Sequence, residues 1–155
     1  DLAADTEFDV SVASSDAAGN TITTSATSAH TVDTSAPTVG ISMNDTALNV
    51  GDTSTVTFTF SEEVTGFTSD DVSVESGSIG TITTTDNIVY TATYTPTDNV
   101  TDTANVITVT NTGVADLAGN AGLSTTDTDS YEVDTVEPTV GISMNDTALN
   151  VGDTS

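Results

Sequence analysis

Asp, Glu and Asn stand in this chain where a β topology would gather their oxygens. Asp33 lies in a linker ahead of a strand pattern, Glu62 and Glu63 directly follow a second pattern, and Asp70 and Asp71 occupy the next polar stretch. Asp116 and Asn120 bracket the segment Asp-Leu-Ala-Gly-Asn, whose glycine permits a tight turn that aims both side chains inward. Asp16 and Asn20 bracket a similar segment, Asp-Ala-Ala-Gly-Asn, and Asp134 lies in a second linker. Carboxylates, amide carbonyls, backbone oxygens and water are the donors a hard cation such as calcium takes. An ion shared by linker and loops would fix the angle between consecutive domains. Each residue also has an ordinary reading, because Asp and Asn are turn formers. The Asp98–Asp102 loop and the Asp127/Asp129 pair read as solvated acidic surface.

The chain offers these groups no cation of its own. Its 155 residues hold 24 Asp and Glu, no Lys, no Arg and one His, giving a formal net charge of -24. Phosphate backbones are held by Lys and Arg, so nucleic-acid binding is excluded as an expectation. Anionic membrane surfaces attract basic patches, and no apolar run is long enough to span a bilayer. P-loops and arginine-assisted phosphoryl transfer lack their residues. There is no Cys, hence no disulfide and no zinc–thiolate site. A Ser–His–Asp site would need His30, which reads as a surface residue near a strand end, and no Ser sits in a nucleophile-elbow sequence. Paired-carboxylate glycosidases need aromatic-lined clefts, whereas aromatics are 5 % with no Trp. The chain reads as non-enzymatic.

High charge with few aromatics also occurs in disordered chains. Here hydrophobic residues are 35 % and mean hydropathy is -0.03, with many β-branched residues. That composition predicts a folded all-β protein. Alternation and turn residues predict seven strands. Val39, Ile41 and Met43 mark the first (A). Val56, Phe58 and Phe60, interleaved with Thr55, Thr57 and Thr59, mark B. Val72 and Val74 mark C, and Ile79 and Ile82 mark D. Ile88, Tyr90, Ala92 and Tyr94 mark E, Ile107 and Val109 mark F, and Tyr131 and Val133 mark G. No helix longer than a turn or two is expected, with the best candidate near Thr68–Asp71. If strands alternate in direction, the incoming linker, the loop from Ser61 to Gly66, the turn near Asp86 and the Asp116–Asn120 loop share one pole. The Asn44–Asp52 loop, the Asp98–Asp102 loop and the outgoing linker share the other.

A repeat sets the domain frame. Val32-Asp33-Thr34 and the eighteen residues at 37–54 recur as Val133-Asp134-Thr135 and 138–155, an offset of 101 residues. That period suits an immunoglobulin-like β-sandwich in tandem. Residues 1–34 then read as the last strands of a preceding domain, 35–135 as one complete domain, and 136–155 as the first strand and turn of the next. With no initial Met, the chain reads as an internal segment of something longer.

The pieces VDTSAPTV, FTFSEEVTGF, DVSVESG and GVADLAGNAG resemble bacterial Ig-like repeats of giant secreted adhesins of the Bap-like and RTX kinds, over essentially all of 35–135. Residues 1–34 are similar to the end of an extender repeat of ice-binding RTX adhesins. The resemblance implies a long stalk at the bacterial cell surface, exported by type I secretion and binding several calcium ions. Its partners would be neighbouring repeats of the same chain. A second reading is a self-assembling filament or biofilm-matrix subunit, in which either the unpaired segment Thr139–Asp146 or the strand-deficient piece at the start completes another copy by strand addition. A third, a module binding glycans or ice, would use the Thr55/Thr57/Thr59 and Thr91/Thr93/Thr95 alternations, which also suit ordinary sheet surface.

Overall fold

The computed structural model describes residues 7–29, 31–145, 148 and 150–152. The reading of His30 lies outside the described residues, as do the Asp146 end of the unpaired segment and parts of the 1–34 and 136–155 assignments.

Strands β1 (Glu7–Ser15) and β2 (Thr21–Ala29) form an antiparallel hairpin. After the linker come β3 (Val39–Met43), β4 (Ala47–Asn49), β5 (Ser54–Phe60), β6 (Val64–Thr65), β7 (Val72–Val74), β8 (Gly77–Ile79), β9 (Thr83–Thr84) and β10 (Val89–Pro96). They are followed by β11 (Thr101–Asn105), β12 (Ile107–Thr110), β13 (Ala115–Asp116), β14 (Thr125–Asp127) and β15 (Tyr131–Asp134). One layer runs β3-β5-β10-β8, with β9 also on β10. The other comprises β7-β12-β14 and β11-β15-β4. β4 pairs with β15 in parallel, so the chain crosses from the first layer to the second within a few residues. The architecture is all-β and Ig-like.

Period-two alternation builds the first layer. In β5, Val56, Phe58 and Phe60 turn inward, while Thr55 and Thr59 are exposed and Thr57 half-exposed. The register sets Val39 opposite Phe60, Ile41 opposite Phe58, and Met43 opposite Val56. On the other side Tyr90 meets Phe58 and Ala92 meets Val56. Ile107, Val109, Tyr131, Val133 and Leu48 close the same core from the second layer. The Tyr94 and Tyr131 hydroxyls both donate to the Glu75 carbonyl at 2.8 Å, so these buried phenols are satisfied.

Four differences from the strand reading have physical causes. Ile79 and Ile82 do not share a strand; β8 and β9 pair separately with β10 on either side of Gly80–Ile82. The Asn44–Asp52 loop contains β4, because buried Leu48 and a short parallel ladder give it a place on β15. The sixth strand starts earlier than Ile107, at β11, and the seventh has a forward half in β14. These polar, Thr-rich segments lack alternating apolar residues but find ladder partners. The turn near Thr68 is one 3-10 turn, Ser69–Asp71.

The aromatic centre of the core rests on Phe67, a residue outside any strand. Its ring meets Phe58, Phe60 and Tyr90 edge-on, with centroids 5.2, 5.0 and 5.1 Å away. Gly66 delivers it, with φ of 88° and so little room that a Cβ would lie 2.8 Å from the Gly113 carbonyl oxygen. Phe67→Ala is therefore expected to lower unfolding free energy by about 3–5 kcal/mol, read as a lower denaturant midpoint at unchanged slope.

Candidate metal centre

The pole from which Asp33 enters is tied together by backbone hydrogen bonds. β6 pairs with β13, placing Val64 opposite Asp116 and Thr65 opposite Ala115. This short ladder draws the Ser61–Gly66 loop against the Asp116–Asn120 loop. The Ser61 amide donates to the Thr38 carbonyl at 2.9 Å, and the Thr38 amide to the Ser61 hydroxyl at 3.0 Å, which anchors the linker. The Val64 amide donates to the Asn87 carbonyl at 2.9 Å, bringing in the turn after Asp86.

The Asp116–Asn120 turn is a closed unit. The Asn120 amide donates to Asp116 Oδ1 at 2.8 Å, and Asn120 Nδ2 to Asp116 Oδ2 at 2.7 Å. Gly119 takes φ of 92° to close it. These bonds, that from the Asn120 side chain foremost, hold the Asp116 carboxyl below the usual carboxylate range. Asn120 Nδ2 also donates to the Asp33 carbonyl at 3.0 Å, fastening the linker to this turn. Asp16 and Asn20 build the same turn at the tip of the first hairpin, with amide and Nδ2 bonds of 2.9 and 2.7 Å.

Three carboxylates converge here. One oxygen each from Asp33, Glu62 and Asp116 lie within 4.8 Å of one another. Asp116 is 4 % exposed, Glu62 is half-buried and Asp33 exposed. Burial, then the charges of Asp33 and Asp116, push the Glu62 carboxyl up. The spacing is inside the screening length of about 8 Å at physiological salt, so monovalent ions remove little of this repulsion. A calcium ion holds its oxygens at about 2.3–2.6 Å, so ligands on one ion are at most about 4.6–5.2 Å apart. The three oxygens fit that limit, and an all-oxygen, all-anionic set suits a hard dication.

The other named acids do not join the triad. Asn120 Nδ2 donates to Asp116 and to the Asp33 carbonyl, so this side chain orients the acid and the linker. Glu63 accepts from Asn87 Nδ2 at 3.2 Å on the neighbouring turn. Asp71 accepts from the Thr68 amide and hydroxyl at 2.9 and 3.2 Å and caps the 3-10 turn that carries exposed Asp70. Asp134 lies at the far pole, accepting from the Thr101 hydroxyl at 2.9 Å and the Val136 amide at 3.2 Å. Among the described residues no other three carboxylates come so close. Asn87, Thr38 and Ser61 support the site without having been singled out from the sequence. They act through backbone groups and a lone hydroxyl, which leave no pattern in residue types.

The shifts give signed expectations. Glu62 binds its proton more readily folded than unfolded, so without metal its contribution to stability improves as pH falls from neutral toward its raised value above 4.5. Asp116 acts oppositely, losing its contribution as pH drops below 3.8. In chelator, Glu62→Gln raises the melting temperature by relieving repulsion, whereas Asn120→Ala lowers it by stripping Asp116 of its partners. Thermal melts of the two variants in EDTA check the pair of signs.

The chain matches the bacterial Ig-like domain family over residues 33–133. No curated protein matches it. Among solved structures it is similar to a Ca2+-stabilized adhesin that helps an Antarctic bacterium reach out and bind ice. The identity is 35 % over 91 % of this chain and 34 % of that one, with a TM-score of 0.45. The chain thus spans about a third of that protein's length. With the family match covering the whole sandwich and both walls of the carboxylate triad, the chain belongs to the bacterial Ig-like domain family.

Proposed function

We propose that this chain is an extender segment of a secreted bacterial adhesin, with calcium at Asp33, Glu62 and Asp116 stiffening the joint where a linker meets its domain. The convergence of those three carboxylates, one from the linker and two from different loops, carries the reading. An ion there bridges three stretches of chain whose carboxylates the backbone pairing already brings together. Its role is mechanical, and no group in the site is asked to do covalent chemistry.

The tandem reading has its own support. Val39 in β3 is 8 % exposed, whereas its copy Val140 is 88 % exposed and Ile142, the copy of Ile41, is 90 % exposed. The same sequence is a core strand where β5 is present, and exposed chain outside any strand where it is not. A further repeat supplies the missing neighbour. Strand exchange between copies is the second reading, motivated by the same exposed residues. It brings no net burial, since residues 140–144 would displace a β3 of identical sequence. The cis arrangement is favoured because its partner is tethered.

With free calcium ~100 to 1,000 times above Kd, one site adds about 2.7–4.1 kcal/mol to folding. The expected outcome is that EDTA lowers the melting temperature, that added calcium restores it, and that Glu62→Gln abolishes most of the calcium-dependent gain. Calorimetry with and without chelator reads this directly. An identical melting curve in EDTA overturns the proposal.

A further inference from the structure

The residue after Asp134, the acid that ends β15, faces back toward the domain that the chain is leaving. Thr135 is 3 % exposed. Its hydroxyl donates to the Thr97 carbonyl at 2.7 Å and accepts from the Val100 amide at 2.9 Å. Its own amide donates to the Val100 carbonyl at 2.8 Å. Side chain and backbone together grip the loop between β10 and β11. From Val136 through Asn145 every residue is exposed, so Thr135 is the last buried residue of the outgoing chain among the described residues.

The repeat places this grip beside the metal residues. Asp134 stands where Asp33 stands, and Thr135 where Thr34 stands. At the incoming linker, Asp33 turns toward the domain that follows, through its carboxylate and through the carbonyl held by Asn120. We infer that Thr135 is a positioning residue that fixes the direction in which the chain leaves its domain, so that the Asp-Thr pair grips one domain with the threonine and the next with the acid. This rests on the tandem, ion-joined reading above. An ion on the acid stiffens the stalk only if the adjoining residue is itself immobile, and the paired bonds to the Val100 peptide supply that immobility.

The absence of Cys leaves every thiol position open for labelling. Because 138–155 duplicate 37–54, appending residues 55–135 after Ser155 completes a second repeat without new sequence. Nitroxides on Ser78→Cys, exposed on β8, and on its counterpart in the appended repeat report the inter-repeat distance by double electron–electron resonance. With calcium in excess, Thr135→Val is expected to widen the distance distribution by about twofold, toward that of a flexible linker, at unchanged calcium affinity. Thr135→Ser keeps the hydroxyl and is expected to retain the parent's narrow distribution. A Thr135→Val distribution as narrow as the parent's overturns the inference. So does a Thr135→Ser distribution as wide as that of Thr135→Val, which would assign the effect to the lost methyl. A parent already broad in calcium would overturn the tandem reading itself, a result distinguishable from both.

Discussion

Like-charge repulsion without an internal counter-ion is the constraint on which this structure turns. The chain has 24 carboxylates and neither Lys nor Arg. Most of these acids are exposed and dispersed, where water and salt moderate them. At one pole the fold does the reverse, drawing Asp33, Glu62 and Asp116 within 4.8 Å. Backbone pairing between β6 and β13, and the grip of Asn120 on both Asp116 and the linker, hold them there. A dication makes that geometry favourable because it meets the oxygens at close range, where monovalent screening is weak.

The core supplies the rigidity this requires. Phe67 follows directly from the loop carrying Glu62 and is fixed among Phe58, Phe60 and Tyr90. Movement of that loop therefore disturbs aromatic packing as well as the carboxylates. At the opposite pole Leu48 and Val133 anchor the parallel β4–β15 pair, and Thr135 continues that anchoring into the linker. Incoming and outgoing chain are thus each held by side chains belonging to the sandwich.

Much of this was legible in the residues. The Val-Thr-Phe-Thr-Phe alternation of β5 announces its face and register, and Asp-Leu-Ala-Gly-Asn announces a turn that aims an acid inward. Strand alternation correctly placed the linker, the Ser61–Gly66 loop and the Asp116–Asn120 loop at one end. What stayed hidden depends on geometry between segments. Phe67 stands beside Gly66 in a loop and carries no period. The split around Gly80–Ile82 follows from how β8 and β9 meet β10. Asp70 and Asp71 look as suitable for a cation as Asp33 does, but Asp71 closes its own turn on Thr68. Composition cannot tell an acid spent on a local cap from one pointed at its neighbours.

The central claim is that one ion sits among three named side chains. Titrating the isotopically labelled chain with calcium, then substituting a paramagnetic lanthanide, locates the ion from amide shifts and relaxation. The account predicts saturable changes centred on Asp33, Glu62 and Asp116, with broadening that falls off with distance from that pole. Weak, non-saturating shifts spread over all the acidic loops would contradict it, since they would describe a counter-ion cloud in place of a site.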